Sequence, residues 1–119
     1  MTRVETVEEL EVFKKSHSFT LKTYKVTESF SESERFGLMA QMRRASVSIP
    51  ANLMEGGHRL SRKEFRQFVN ISKGSVGELK YYLILSKDLG YLPISRYPTL
   101  KGELEEMSKM LTGLIKSLS

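Results

Sequence analysis

No cysteine occurs in the 119 residues, which removes disulfides, thiolate metal sites and cysteine nucleophiles together. Such a chain suits a reducing compartment, and a cytoplasmic setting is the expectation. No uninterrupted apolar stretch approaches the roughly 20 residues a bilayer-spanning helix needs, so no membrane partner is expected. The stretch Met1 to Leu10 holds three glutamates and no apolar run, which is not the pattern of a secretory signal. Repeats, low-complexity tracts and linkers are missing too. Residues 1–119 therefore read as one domain, long enough to bury a core without cross-links.

Constellations that carry chemistry are equally scarce. Glu55-x-x-His58 has the spacing found in carboxylate-bridged di-iron bundles, but those sites need the motif twice, with glutamates from two further helices. The only other histidine, His17, follows Lys14 at that spacing, and the Gly56-Gly57 pair weakens helical geometry between Glu55 and His58. No metal site and no cofactor are expected. Neither histidine has a serine and an acid in a recognisable local arrangement, and the glycine pair follows no strand and forms no phosphate loop. His17 reads as a half-buried packing residue, and the chain reads as a binding protein with no catalytic residues.

What is present is helical periodicity. Thr6-x-x-Glu9, Ser31-x-x-Glu34 and Ser61-x-x-Glu64 each match a capping box, in which a hydroxyl accepts from an orphan N–H and the glutamate reaches back. The first predicts a helix from about Val7 to Glu28 with Leu10, Phe13, His17, Leu21 and Tyr24 on its inward stripe. The second predicts a helix from near Glu32 that buries Leu38, Met42, Ala45, Ile49 and Leu53, is kinked at Pro50 and stops at Gly56-Gly57. The third predicts a helix from Arg62 to Leu89 closed by Gly90, with Phe65, Phe68, Ser72, Val76, Leu79 and Leu83 inward. A fourth, capped by Ser95 with Pro98 in its first turn, puts Leu100, Leu104, Met107, Leu111, Leu114 and Leu118 on one seam. Connections of a few residues force neighbours to run antiparallel, so the fold class is all-α, an up-down-up-down four-helix bundle.

Three features do not follow from a lone bundle. Gly74 and Gly77 sit mid-helix, each at a cost of about 1 kcal/mol relative to alanine, which suggests a close helix–helix approach. Tyr81-Tyr82-Leu83-Ile84-Leu85 leaves the third helix without a polar face, and Ile71 extends its apolar far side. Cover from a second subunit is the simplest remedy, with Ile71, Tyr81, Tyr82 and Leu85 at the interface. Polar residues beside the inward stripes, namely Asn52, Glu55, Glu64 and Glu78, are expected to be partly buried in hydrogen-bonded networks.

The charge is also uneven. Between Arg35 and Ser75 there are eight Lys or Arg against two acids, while the rest of the chain has eleven cations against twelve acids. Arg43, Arg44, Arg59, Arg62, Lys63 and Arg66 make up most of this zone. Arginine predominates, which suits phosphate because the guanidinium fork can bind two oxygens. Positions 59, 62, 63 and 66 have the spacing of one helix face. With no aromatic interleaved except inward Phe65, recognition of a nucleic-acid backbone or shape is favoured over base stacking. Ordinary solvated helix faces are the plainer account of the same charges.

The order Glu34-Arg35-Phe36-Gly37-Leu38, then Gln41-Met42-Arg43-Arg44-Ala45-Ser46-Val47-Ser48-Ile49-Pro50-Ala51-Asn52 and Glu55-Gly56, resembles the four-helix-bundle proteins encoded in intervening sequences of bacterial large-subunit ribosomal RNA genes. The likeness continues through Ser61-Arg62-Lys63-Glu64-Phe65, Phe68, Gly74-Ser75, Glu78-Leu79 and Leu89-Gly90-Tyr91. It implies an antiparallel bundle assembling as a ring-like homopentamer. The chain is also similar to the accessory protein of diversity-generating retroelements, a basic pentameric barrel that engages a reverse transcriptase and nucleic acid. Neither likeness implies a catalytic residue. Gly57-His58 and Leu60 depart from the family pattern at the turn after the Glu-Gly pair. Two partners are thus expected beyond the chain itself: RNA, or an acidic surface on a nucleic-acid-handling protein.

Overall fold

In the computed structural model, which describes residues 6–119, the chain forms four α-helices: α1 Glu11–Thr27, α2 Leu38–Gly57, α3 Arg62–Asp88 and α4 Tyr97–Ser117. Met1–Glu5, half of the stretch read against a secretory signal, lie outside the described residues. Cross-helix pairs set the directions. Thr20 and Thr27 of α1 meet Ser46 and Arg43 of α2, and Ser48 and Arg44 of α2 meet Ser75 and Glu78 of α3. Arg62 and Lys80 of α3 meet Ser117 and Glu105 of α4, and Lys15 and Lys22 of α1 meet Glu106 and Glu103 of α4. Every pair of neighbours therefore runs antiparallel, around a bundle 43 × 25 × 19 Å in extent. Among the described residues no helix is long and apolar enough to cross a membrane.

The core lies along the seam expected of α2 and most of those expected of α3 and α4. Val69 is buried where Phe65 and Phe68 were expected, and those two and Leu114 are half-buried. Met42, Ala45, Ile49 and Leu53 meet Val69, Val76, Leu79 and Leu83, and α4 closes the floor with Leu100, Leu104, Met107 and Leu111. Each of these valine, leucine, isoleucine and methionine side chains stabilises the fold by about 1.5–3 kcal/mol relative to exposure. α3 ends as expected: Gly90 takes φ +84°, Tyr91 N–H bonds the Ser86 carbonyl and Gly90 N–H bonds that of Lys87, the paired closure of a Schellman turn.

The inward face of α1 is not the expected one. Val12, Ser16, Phe19, Thr20, Thr23 and Val26 are buried, whereas His17 is exposed and Leu21 is 60 % exposed. Tyr24 is exposed as well, and Leu10 and Phe13 pack only against the core's edge. Hydroxyls explain the reversal. Ser16, Thr23 and Thr27 donate to the carbonyls of Phe13, Phe19 and Thr23 in their own helix, so these small polar side chains are buried fully satisfied. His17 instead stacks on Phe13 at the surface, 10° from parallel.

Capping differs as well. The Thr6 side chain caps nothing, and a single 3-10 turn, Val7–Glu9, precedes α1. Ser31 caps a 3-10 turn over Glu32–Glu34, so α2 begins at Leu38 rather than near Glu32. Glu34 serves that later start: its Oε1 accepts from Leu38 N–H at 3.1 Å, and its Oε2 accepts from the Tyr91 hydroxyl at 3.1 Å. Of the three, only Ser61 caps its α-helix, with Glu64 N–H donating to Ser61 Oγ and the Ser61 hydroxyl donating to Glu64 Oε1. Ser95 lies in a 3-10 turn ahead of α4 and does not cap it, although Pro98 sits in the first turn as expected.

Pro50 does not end α2, which continues to Gly57 and includes the glycine pair. A proline has no N–H for the carbonyl four residues back, here Ser46. The Thr20 hydroxyl of α1 donates to that carbonyl at 2.9 Å, in a buried position. The close helix approach lies at Gly56, where a Cβ would come 2.6 Å from Phe68 Cβ. Gly74 and Gly77, by contrast, have open space around them within the chain, contrary to expectation.

Candidate nucleic-acid interface

Folding separates the six predicted cations into four environments. Arg43 turns against α1, where its Nε donates to Thr27 Oγ1 at 2.9 Å and its guanidinium lies 4.6 Å from the centre of the Tyr24 ring. Arg44 donates to Glu78 Oε2 at 2.6 Å, and the Tyr82 hydroxyl donates to the same oxygen at 2.9 Å. The carboxylate beside them raises the pKa of Arg44 and that of the Tyr82 hydroxyl. Arg59 pairs with Glu55 at 3.0 Å, approaches Glu64 at 4.0 Å and covers the Phe68 ring. These three arginines are committed to carboxylates, carbonyls or rings.

Arg62, Lys63 and Arg66 differ. Among the described residues none of them has an ion-pair partner. Arg62 donates to the carbonyl of Ser117, and Arg66 reaches the Ser119 hydroxyl at 3.4 Å. A cation near the start of its own helix opposes the dipole. Antiparallel packing, however, sets Arg62 at the C-terminal end of α4, where a positive charge is favourable. The predicted single face over 59, 62, 63 and 66 is therefore divided: Arg59 leans toward α2 over Phe68, while Arg62 and Arg66 lean toward α4.

Lysines outside the predicted set extend this end cluster. Arg66, Lys73, Lys80 and Lys87 recur every seven residues along α3. Lys80 shares a shallow depression of about 360 Å³ with Glu105, Ser108, Lys109 and Thr112 of α4, and Arg66 shares one of about 310 Å³ with Gln67, Asn70 and Ile115. The heptad spacing was readable in the sequence, but counting charge along the chain assigned α4's lysines to the charge-balanced remainder.

The polar residues beside the seams are bonded within the chain. Asn52 donates to the carbonyl and hydroxyl of Ser48, whose hydroxyl meets Ser75 at 2.8 Å. Glu78 and Glu64 are half-buried, and Glu55 is exposed. His58 caps α2 with its Nδ1 against the Met54 carbonyl at 2.8 Å. Among the described residues no three His, Asp or Glu side chains gather into a metal-sized group.

Of the predicted interface residues, Ile71 and Tyr81 are more than half exposed on the outer face of α3. Tyr82 and Leu85 are half-buried and pack against the core. Exposed Ile84 adds to the outer face. An apolar depression of about 290 Å³ lies between α1 and α2, lined by Phe13, His17, Thr20, Val47, Pro50, Ala51 and Met54.

Fold and surface together define a basic four-helix bundle with exposed apolar flanks. The chain belongs to the 23S rRNA-intervening sequence protein family, whose model matches residues 8–113. Its fold is similar to a crystal structure from Bacteroides thetaiotaomicron, described as a protein of unknown function from the S23 ribosomal protein family. The two share 27% identity with a TM-score of 0.80, over 88% of this chain and 95% of that one. No curated protein matches the chain.

Proposed function

We propose that this protein is a non-enzymatic, cytoplasmic, oligomeric binding protein that contacts the phosphates of RNA through the bundle end carrying Arg62, Lys63 and Arg66. The observation that supports this is that among the described residues these three cations have no ion-pair partner, while Arg44 and Arg59 are paired. A binding face needs cations that are not already neutralised, and the family's association with ribosomal RNA genes makes RNA the favoured polyanion. Arg43, Arg44 and Arg59 were expected to join them, and on this reading they contribute only to the surrounding positive field.

Assembly is the second part of the proposal. The chain carries two unlike apolar surfaces, the outer face of α3 at Ile71 and Tyr81 and the α1–α2 depression. Unlike surfaces that meet make a head-to-tail contact, which closes into a ring when the rotation allows. A homopentamer is the ring that the family likeness suggests, and Gly74 and Gly77 would let the neighbour approach α3 closely.

The test is equilibrium binding of a structured ribosomal RNA fragment across a salt series, with light scattering on the same protein. Wild type should bind at low salt and weaken steeply as salt rises, and Arg62→Glu with Arg66→Glu should abolish binding. Binding indifferent to salt and to both changes refutes the RNA reading. A protein partner captured equally well after nuclease treatment would favour an acidic protein surface in its place.

A further inference from the structure

The α1–α4 groove, about 390 Å³ in volume, is electrically neutral. Lys14, Lys15 and Lys22 of α1 are balanced by Glu11 beside them and by Glu103 and Glu106 across the groove on α4. Lys15 pairs with Glu106, and Lys22 with Glu103. The α3–α4 seam is built differently. Along α3 it carries Arg62, Arg66, Lys73, Lys80 and Lys87, and α4 adds Lys109, with Lys116 one heptad beyond on the same face. Among the described residues two acids pair with these seven cations, Glu105 at 3.8 Å from Lys80 and Asp88 at 3.4 Å from Lys87, which leaves a surplus of five.

We propose that this seam is a track for the phosphate backbone of a double-helical nucleic acid, laid along the bundle's long axis. The proposal rests on the RNA-binding reading above and extends its site from the bundle end to the whole length of α3.

Geometry favours a duplex. At 1.5 Å per residue the α3 cations span about 37 Å, close to one turn of a nucleic-acid double helix. A heptad stripe drifts only about 20° per repeat around a straight helix, so the row from Arg66 to Lys87 stays on one side of α3. The result is a rigid, nearly straight line of charge, matched to a stiff polyanion. Single-strand binders add aromatic platforms for unstacked bases. Here Tyr97 is covered by the Lys87 ammonium at 4.5 Å, and Tyr81 projects about a quarter turn round α3 from the stripe. An acidic protein partner would be expected to meet a desolvated apolar centre, whereas the depressions at Lys80 and Arg66 are lined mainly by polar and charged side chains.

The test uses the full chain and fluorescence anisotropy at several salt concentrations. Its probes are an RNA hairpin stem, a DNA duplex of the same sequence and an unstructured single strand of equal length. Tighter binding to either duplex than to the single strand is expected. Lys73→Glu and, separately, Lys109→Glu should each weaken duplex binding and reduce the slope of log affinity against log salt by about 1. Lys25→Glu, the same charge change on exposed α1, should leave both nearly unchanged, and Lys73→Gln guards against a variant that fails to fold. Equal effects at Lys73 and Lys25, or equal affinity for duplex and single strand, overturn the track. If Arg62→Glu with Arg66→Glu abolishes binding while Lys73 and Lys109 do not matter, the track falls and the RNA-binding reading stands. If wild type binds no probe at low salt, both fall.

Discussion

Replacing Thr20 by valine keeps the shape of the side chain and removes the one hydroxyl that reaches the Ser46 carbonyl. The position is buried, and Pro50 has no N–H with which to take over. The Ser16 carbonyl, which Thr20 Oγ1 also approaches at 3.0 Å, is less affected, because the Thr20 backbone N–H lies at the helical spacing for it. The net loss is thus one buried carbonyl without a donor, worth about 1–3 kcal/mol. At roughly 4 °C per kcal/mol for a domain of this size, thermal melts should show a clear decrease at fixed protein concentration. The mechanism is isolated by a double-mutant cycle with Pro50→Ala, which returns an N–H to α2 at the right spacing. In that background Thr20→Val should cost at least about 1 kcal/mol less. Equal costs with proline or alanine at position 50 would show that the hydroxyl does not substitute for the missing helix bond.

Gly56→Ala should destabilise by about 1–3 kcal/mol in chemical denaturation, because the new methyl meets the Cβ of Phe68 rather than a movable side-chain end. Gly74→Ala with Gly77→Ala has a sign that decides the assembly proposal. In a free chain each change should stabilise by up to about 1 kcal/mol, whereas a neighbour seated on α3 would make the pair lower the mass seen by light scattering. The Tyr82 and Tyr91 hydroxyls donate to Glu78 and Glu34, which raises both phenol pKa values above the usual value of about 10. Their contribution to stability is therefore full below that value and is lost as pH rises through the shifted pKa values. Alkaline titration of tyrosinate absorbance should show a late phase that Tyr82→Phe and Tyr91→Phe each shorten, and one ordinary transition would contradict the hydrogen bonds.

The inward stripes of α2 and α4 were largely legible because leucine, isoleucine and methionine recur there at helical spacing. On α3, apolar nearly all round from Tyr81 to Leu85, Val76, Leu79 and Leu83 were legible but Val69 was missed for Phe65 and Phe68. On α1 two stripes competed. The expected one carries Leu10, Phe13, Leu21 and Tyr24 with His17. The buried one carries Val12, Phe19 and Val26 with Ser16, Thr20 and Thr23, whose hydroxyls bond their own helix, lose little on burial and let another helix approach. Hydropathy alone cannot rank a satisfied threonine above an exposed leucine. The start of α2 was missed for a related reason, while that of α3 at Arg62 was legible. Ser31 and Glu34 have the spacing of a box, but Tyr91, far away in sequence, holds the glutamate at a later turn.

The basic surface was only half legible, and the reason is topological. Charge counted along the chain found the excess before Ser75 and took the rest as balanced. In the bundle, α4's acids divide by face: Glu103 and Glu106 turn to the lysines of α1, and Glu105 alone meets a lysine of α3. The lysines on α4's opposite edge are then left beside α3 with little compensation. Meanwhile Arg43, Arg44 and Arg59, prominent in the count, are drawn into contacts with α1, α3 and the α2–α3 turn. A cation is most available to a ligand when the fold gives it no acid to neutralise it, and several of the acids here come from helices distant in sequence. The electrostatic footprint is therefore a property of antiparallel pairing: its location changes with which helix edge meets which, even at constant composition.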